Sequence, residues 1–289
     1  MRHGFLLVHK PKGPTSHDLV GMVRRTLSEP SIGHLGTLDP MAEGLMVLAV
    51  GSKALKVIEL FSKMTKEYDA EVTLGKDSTT YDAEGLITVH DTRPGYEPPT
   101  DQSRVQTVLN ERFVGTVDQV PPIFSAIKVG GSRAYRKAQR GESVELKSRP
   151  VSITECRILS YNYPLLSLHV ACGSGTYIRS LAHDIGETLR SGGYLSKLVR
   201  TKVGEWLLTD AVQPDSVAWG HVLPLKSVLS LMPRRELSDA EMIEIQHGRS
   251  VMGIMPSEGT PIAWHKDLPV AILERNPKKQ GMLKPRKVL

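Results

Sequence analysis

Cysteine is scarce in this sequence. Cys156 and Cys172 are the only two among 289 residues, and they form no CxxC pair. A disulfide framework is therefore not expected, and a reducing compartment suits the chain better. The ten histidines show no metal-ligand spacing, so the sequence predicts no metal site.

Long apolar runs and aromatic clusters are also lacking. The first ten residues hold too short an apolar stretch for a signal peptide, and no run has the length needed to span a bilayer. Aromatic residues make up 5% of the chain and are scattered, which argues against a platform that stacks single-stranded RNA bases. We therefore expect a cytoplasmic protein without a membrane partner.

The chain does have a globular composition and an excess of positive charge. Hydrophobic residues account for 40% and charged residues for 24%, which is enough for a proper core in one large domain or a large and a small one. The net charge is +6 and the pI is about 9.2. This charge favours a polyanionic partner without establishing one.

Residues 33–44 form the most constrained stretch, with glycines at 33, 36 and 44 and a proline at 40. The apolar run at residues 45–50 follows directly and is typical of a buried strand. Because Pro40 restricts the residue before it, Asp39 lies on a stiff loop against that strand. The local pattern leaves two interpretations open, a catalytic carboxylate or an aspartate that only caps a turn.

Clear elements surround this loop. Residues 5–8 predict a strand, and Thr15 with Asp18 predicts a helix that begins with a capping box. Lys10 and Lys12, between them, are either ordinary solvated charges or RNA-facing ones. A later strand alternates cleanly, with Tyr68, Ala70, Val72 and Leu74 on one face. Tyr68 therefore points inward, and a core tyrosine is the simplest interpretation.

The second half of the chain adds two helices and a separate C-terminal part. Residues 132–140 predict a basic helix, with a solvated face or phosphate contact as the alternatives. Another helix follows residues 173–176, and it carries Arg179 in its first turn, where the dipole disfavours a cation and a carboxylate partner is expected. A boundary is expected after Met232. Beyond it, Ser238 and Glu241 predict a capped helix in a compact β-rich module with a basic tail.

Several motifs occur together in a fixed order. They are Lys10-Pro11-Lys12-Gly13-Pro14-Thr15-Ser16, the loop at residues 34–44, Lys66-Glu67-Tyr68 with Tyr81-Asp82-Ala83-Glu84-Gly85, the Pro121-Pro122 stretch through Ser125-Ala126-Ile127-Lys128, and Gly175-Thr176-Tyr177-Ile178-Arg179. With this set the sequence resembles the bacterial tRNA pseudouridine-55 synthases of the TruB family. The ordered set is specific, whereas one motif alone would be weak.

The resemblance implies an α+β fold, the pseudouridine synthase fold, in which a mixed and largely antiparallel central sheet with flanking helices surrounds a catalytic cleft. It places the catalytic domain at residues 1–232. Residues 233–289 resemble a small, β-rich PUA-like RNA-binding module.

The resemblance also implies an activity, the isomerisation of the uridine at position 55 in the T-loop of tRNA, by base flipping and with no cofactor or metal. Asp39 is the catalytic carboxylate by this resemblance, and Arg179 pairs with it. Tyr68 stacks on the flipped base and helps to remove the last proton, Tyr177 and Leu198 line the pocket, and His34 contacts RNA.

The RNA surface is the least defined part of the prediction. The candidates are the cations Lys10, Lys12, Lys128, Arg133, Arg136 and Lys137, with the T-arm of tRNA as the partner and no protein partner implied. Three alternatives stay open: a non-catalytic tRNA-binding or folding chaperone, a pseudouridine synthase that acts on another RNA, and a carboxylate hydrolase in which Glu43 supplies a second acid.

Overall fold

The computed structural model describes residues 3–90, 98–125, 140 and 146–289, together with the backbone of two short strands between residues 128 and 133. Its strands, in chain order, are β1 Gly4–Lys10, β2 Ile32–His34, β3 Glu43–Val50, β4 Lys66–Leu74, β5 Lys76–Ser78, β6 Ile87–Val89, β7 Gly115–Gln119, β8 Lys128–Val129, β9 Ser132–Arg133, β10 Arg149–Asn162, β11 Leu165–Cys172, β12 Gly193–Val203, β13 Trp206–Leu207, β14 Leu223–Pro224, β15 Arg234–Glu236, β16 Val251–Met252, β17 Ile262–His265, β18 Leu268–Arg275 and β19 Met282–Val288.

The described helices are fewer and mostly short. They are α1 Ser16–Leu27, α2 Ser52–Val57, α3 Gln102–Phe113, α4 Ile178–Thr188, α5 Leu225–Leu229 and α6 Asp239–Gln246, with 3₁₀ turns at Ile58–Phe61, Leu208–Asp210, Pro214–Ser216 and Trp219–His221. Within the described residues, none of these helices has the length and apolar character needed to cross a membrane.

One large mixed sheet organises the chain. Its strands lie in the order β14-β1-β3-β12-β4-β11-β10-β7, with β2 at the side of β3 and β13 at the side of β12. The β3–β12 pair is parallel, and the other pairs of this sheet are antiparallel. The expectation of a mixed, largely antiparallel central sheet is confirmed.

The middle of this sheet is buried on both faces. In β1, Leu6 and Val8 pack into a core formed with α1, α3 and α4, whereas Phe5 and Leu7 pack into a second core on the opposite face. Successive strand residues alternate between faces, so a strand covered on both sides has to be apolar throughout. The continuous apolar sequence of β3 has the same cause.

The second core joins the two parts of the chain. A five-stranded sheet with the order β15-β17-β18-β19-β16 follows Pro233. Ile262, Trp264 and Ile272 of this sheet lie in one buried cluster with Phe5 of β1 and Val57 of α2. The boundary after Met232 stays a prediction, but the β-rich character of the C-terminal part is confirmed.

Most of the local predictions hold. The capping boxes at Thr15 and at Ser238 are both formed, and β4 alternates between buried and half-buried residues with Tyr68 inside. The predicted basic helix at residues 132–140 is wrong at its start, because Ser132–Arg133 is a strand. Its residues 134–139 lie outside the described part of the chain.

The shared core predicts how stability depends on two isoleucines of the C-terminal part. Ile262 is fully buried between the two sheets, whereas Ile254 is 87% exposed. Ile262→Ala should lower the free energy of unfolding by ~2–5 kcal/mol, and Ile254→Ala should change it by less than about 0.5 kcal/mol. Urea denaturation followed by fluorescence and circular dichroism measures both. Similar losses in the two variants would contradict a buried joint between the sheets.

Candidate active site

Three residues of the motifs and one further residue, Arg200, lie in one row across the large sheet. Lys10 of β1 pairs with Gly44 of β3, Gly44 pairs with Arg200 of β12, and Arg200 pairs with Tyr68 of β4. Residues that are directly paired present their side chains on the same face. The register therefore collects three long polar side chains beneath the loop that holds Asp39.

Gly44 permits this row because it has no side chain. Its φ is +112°, and a Cβ at this position would lie 2.4 Å from the carbonyl oxygen of Arg200. Any larger residue would separate β3 from β12 at the point where the two strands run parallel. The last glycine of the loop motif is therefore a packing requirement of the sheet.

The start of α1 holds the loop from one side. The hydroxyl of Ser16 donates to the carbonyl of Leu38, and the Leu38 N–H donates back to the same hydroxyl oxygen, both at 2.8 Å. The Gly13 N–H donates to the Pro40 carbonyl at 2.8 Å. The first motif of the sequence is thus joined to the backbone on both sides of Asp39.

Arg200 holds the loop from the sheet. The side chain is almost fully buried and donates to the carbonyls of Leu45 at 2.7 Å, Gly36 at 3.2 Å and Thr37 at 3.5 Å. Sequence reasoning missed this residue. It lies two positions after Leu198 on the same strand face, and that spacing was the available signal.

Lys10 corrects one prediction. It was a candidate for RNA contact, but its side chain is fully buried and its Nζ donates to the carbonyls of Ala42 at 2.7 Å, Pro11 at 3.0 Å and Pro40 at 3.3 Å. Burial lowers the pKa of this ammonium, while the nearby Asp39 charge raises it. Lys10 therefore supports the loop from within.

Asp39 and Arg179 meet in an ion pair. Oδ2 of Asp39 lies 2.9 Å from Nε of Arg179, whose side chain is only 6% exposed. Nη1 of the same guanidinium lies 3.3 Å from Oδ2 of Asp82 and donates to the Thr80 carbonyl, and Nη2 donates to the Phe124 carbonyl at 2.8 Å. One carboxylate partner was expected for Arg179 in the first turn of this helix. The structure gives it two, Asp39 and Asp82.

Asp82 is a member of the site that sequence reasoning did not assign. Its Oδ1 accepts from the Thr80 hydroxyl at 2.5 Å and from the Glu84 N–H at 3.0 Å, and its Oδ2 is occupied by Arg179. A buried carboxylate with both oxygens paired is suited to hold the guanidinium in place. Glu43, considered as a second acid, lies at the start of β3, and Asp82 is the carboxylate that shares Arg179 with Asp39.

Opposing effects act on the pKa of the Asp39 carboxyl. Burial raises the pKa of this carboxyl above its usual value, Arg179 lowers it, and the neighbouring Asp82 raises it again. The side chain is still 36% exposed, so solvent or a ligand can reach it. Among the contacts of the described residues, Oδ1 has no hydrogen-bond partner and is free to meet a ligand.

The predicted pocket residues lie on neighbouring strands and on α4. Leu198 pairs with Ala70 two residues along from the Arg200–Tyr68 pair, so Leu198 and Tyr68 share the face beneath the loop. Burial is the main reason that the pKa of Tyr68 is raised. Its hydroxyl therefore stays protonated near neutral pH, which suits a packing surface and does not favour a base.

His34 and Tyr177 flank the same region. His34 ends β2, is half-buried, and has a pKa lowered by burial and by Arg200, so its imidazole is neutral at pH 7. Tyr177 is the N-cap residue of α4, and the guanidinium of Arg149 lies 5.5 Å from the centre of its ring.

The proposed RNA-binding cations are described only in part. Lys12 is exposed, as a phosphate contact requires. The side chains of Lys128 and Arg133, and the whole of Arg136 and Lys137, lie outside the described residues. Their roles stay predictions.

One cluster elsewhere has the geometry of a metal site. Ligand atoms of Asp77, His90 and Glu187 lie within 4.8 Å of one another, and His90 Nδ1 is 2.6 Å from Asp77 Oδ2. Spacing along the chain gave no sign of this group because its members come from three elements. The predicted absence of a metal stays a prediction.

Comparison with known proteins shows the family of the chain. Residues 24–178 match the family model described as TruB family pseudouridylate synthase, N-terminal domain. Proteins named tRNA pseudouridine synthase B are similar over most of the chain. The relative from Mycobacterium sp. (strain KMS) is 41% identical over 86% of this chain and 84% of its own length. The relative from Bacillus pumilus (strain SAFR-032) is 33% identical over 100% of this chain and 98% of its own length.

Solved structures show the same fold. A chain in the crystal structure of a Cbf5-Nop10-Gar1 complex superposes with a TM-score of 0.71 at 23% identity, covering 99% of this chain and 84% of that one. A chain in the structure of an H/ACA ribonucleoprotein bound to a substrate RNA containing 2′-deoxyuridine gives a TM-score of 0.69 at 21% identity over the same shares. The α+β fold with a PUA-like C-terminal sheet is confirmed.

The ion pair makes the titration of Asp39 depend on Arg179. Arg179→Met removes the cation that opposes burial, so the pKa of the Asp39 carboxyl should rise and less of it should be ionised at a given pH. Titration of the ¹³C carboxyl resonance measures this. Arg157→Met, which removes an exposed arginine paired with Glu155, is the control and should leave the Asp39 pKa in place. An unchanged value in Arg179→Met would show that the two groups are not coupled.

Because Lys10 is buried and Lys12 is exposed, replacing Lys10 should lower the stability of the protein, whereas replacing Lys12 should not. Lys10→Met keeps the apolar stem but leaves carbonyls of the Asp39 loop without a donor, so the free energy of unfolding should fall by at least ~2 kcal/mol. Lys12→Met, at an exposed position, should change it by less than about 0.5 kcal/mol. Urea denaturation tests both, and equal effects would place Lys10 on the surface.

Proposed function

This chain belongs to the TruB family of pseudouridine synthases and isomerises uridine in tRNA to pseudouridine, and we propose that Asp39 is its catalytic carboxylate. The observation that carries the proposal is the Asp39–Arg179 pair, which fixes one carboxylate oxygen at 2.9 Å from Nε while the Asp39 side chain stays 36% exposed. An ionised and aimed carboxylate is what the reaction requires from the protein.

The chemistry is an intramolecular rearrangement. The N1–C1′ bond breaks, the uracil turns, and a C5–C1′ bond forms; the proton on C5 then leaves and N1 gains one, so atoms and electrons balance. Two routes fit the free oxygen of Asp39: attack on C1′ to give a covalent sugar ester, or removal of a sugar proton. In both, Arg179 holds the carboxylate in its charged form as the site loses water.

The face beneath the loop supplies a pocket for a base. A uridine must leave its stack to reach Asp39, which costs a few kcal/mol, and contacts in the pocket must offset that cost. Tyr68 is placed to stack on the flipped uracil, Leu198 and Tyr177 line the pocket, and His34 contacts the neighbouring RNA. The raised pKa of Tyr68 favours the stacking role over proton removal.

The remaining assignments extend the proposal to the whole RNA. We place the target at position 55 of the T-loop, with no cofactor required. Lys12, Lys128, Arg133, Arg136 and Lys137 are the candidates for contact with T-arm phosphates, and residues 233–289 form an RNA-binding module next to the catalytic domain at residues 1–232. Contacts of this kind give affinity and register, while the shape of the folded RNA gives selectivity. Since tRNA is a cytoplasmic substrate, we place the protein in the cytoplasm.

Asp39→Asn tests the proposal directly. The amide has the same shape but neither the charge nor the nucleophilicity of the carboxylate, so the single-turnover rate on unmodified tRNA transcript should fall at least ~10³-fold, or roughly 4 kcal/mol of barrier. Mapping of pseudouridine should find one modified site, in the T-loop, for the wild-type enzyme.

Asp118→Asn is the matched control, because it removes an exposed carboxylate from β7 and should leave the rate unchanged. An active Asp39→Asn enzyme would remove Asp39 from the mechanism. Wild-type protein that binds tRNA without modifying it would instead support the chaperone alternative.

A further inference from the structure

The start of α4 carries Arg179 but lacks a cap of its own. Tyr177, the N-cap residue, has an extended backbone and makes no side-chain hydrogen bond to the helix. The first backbone N–H groups of a helix have no partner within the helix, and a cation in this turn is opposed by the dipole. The position of Arg179 therefore has to be fixed by something outside α4.

Gln119, the last residue of β7, supplies that fixation. Its side-chain amide accepts from the Tyr177 N–H at 2.8 Å and donates to the Tyr177 carbonyl at 3.0 Å. The side chain is 2% exposed, so the two bonds are made away from water. An amide that donates and accepts with one residue fixes both its distance and its orientation.

The chain after Gln119 binds the next residues of α4. The Ser180 hydroxyl donates to the Val120 carbonyl at 2.7 Å, and Nη2 of Arg179 donates to the Phe124 carbonyl at 2.8 Å. Pro121 and Pro122 lie between these carbonyls and are both buried. Since proline fixes φ, this part of the chain has fewer conformations open to it.

Arg149 adds a contact to the same tyrosine. It pairs directly with Gln119 across β7 and β10, and its guanidinium lies over the Tyr177 ring. One pair of neighbouring strand residues thus reaches the backbone and the ring of Tyr177. Within the site proposed above, Tyr177 lines the uracil pocket and Arg179 aims Asp39.

We propose that Gln119 is a positioning residue of the isomerisation, which sets the start of α4 so that Tyr177 and Arg179 meet the flipped uridine and Asp39 in the reactive geometry. Gln119 contacts neither Asp39 nor the proposed position of the uridine. It acts through Tyr177, which lines the proposed pocket, and through Arg179, which contacts Asp39. The inference rests on the proposed function, but its geometric content does not depend on activity.

The chain offers a matched control for this residue. Gln106 of α3 makes the same kind of double bridge, donating to the Cys156 carbonyl at 3.0 Å and accepting from the Ile158 N–H at 2.8 Å. That bridge joins α3 to β10 and, among the described residues, makes no hydrogen bond to α4. Gln106→Leu and Gln119→Leu therefore each remove a pair of side-chain-to-backbone bonds, one remote from the site and one at it; Gln106→Leu also removes a bond to Asn110 Oδ1 at 2.9 Å.

Single-turnover rates, tRNA affinity and melting temperature of the two variants should then separate. Both should melt at reduced temperatures, because each variant loses side-chain hydrogen bonds to the backbone. Gln119→Leu should lower the rate by about 10–100-fold, since a displacement near 1 Å has an effect of this size on a positioned site. Its Kd for tRNA should stay within about threefold of wild type, whereas Gln106→Leu should keep both rate and affinity.

Gln119→Glu gives a signature that a merely structural role would not produce. An ionised carboxylate can accept from the Tyr177 N–H but repels the Tyr177 carbonyl, while the protonated acid can both accept and donate like the amide. Burial raises the pKa of such a carboxyl, and the positive charge of Arg149, the directly paired residue of β10, opposes that rise. The rate of Gln119→Glu relative to wild type at the same pH should therefore rise as pH is lowered from about 8 to about 6. This variant decides the matter if Gln119→Leu does not fold.

The results that would refute a positioning role for Gln119 differ from those that would refute the proposed isomerase function. A rate loss in Gln119→Leu no larger than in Gln106→Leu, a loss confined to tRNA affinity, or a pH-independent ratio for Gln119→Glu would each refute it. If wild type forms no pseudouridine, the proposed function fails, and the ¹³C titration of Asp39 decides the positioning role. Gln119→Leu should raise that pKa relative to Gln106→Leu, and equal values would refute the inference.

Discussion

The ion pair between Asp39 and Arg179 is the contact on which the site depends, because it joins a glycine-rich loop to the first turn of a distant helix. A guanidinium in that turn is opposed by the helix dipole and by its own burial. Two carboxylates and two carbonyls offset these costs. Removing one partner would leave the buried charge of Arg179 poorly paired, so each of these contacts depends on the others.

The loop that carries Asp39 has too few backbone N–H groups of its own to satisfy its carbonyl groups. Pro40 has no N–H, and a chain bent by glycines leaves carbonyls that no ladder satisfies. Lys10 and Arg200, with several N–H groups each, fill this gap from beneath. Both reach the loop because the strand register puts them in one row with Gly44, so the geometry of the site follows from the pairing of β1, β3 and β12.

Sequence patterns predicted what depends on neighbours along the chain. The alternation around Tyr68 and the capping boxes at Thr15 and Ser238 follow from local chemistry, and the structure has them. Burial of Lys10 depends on strand register, which a local pattern does not contain. The last strand, Met282–Val288, was not predicted, because its lysines and arginine interrupt the apolar alternation that marks a strand, and the sequence indicated only a basic tail. The meeting of Asp39 with Arg179 was expected only from the resemblance to a family, since periodicity gives the face of a residue and not its partner across the fold.

Charge is divided between the cleft and the rest of the molecule. In addition to burial, Asp82 raises the pKa of Asp39, and Asp82 and Asp39 raise that of Glu84, while Arg179 and Lys10 lower both pKa values. The chain as a whole is basic, so it attracts a polyanion, which arrives at a carboxylate whose pKa burial already raises. Bound RNA would remove more water and favour the neutral acid further. Of the two cations that lower the pKa of Asp39, Arg179 has the larger effect, so the position of the start of α4 decides how strongly the loss of water is opposed.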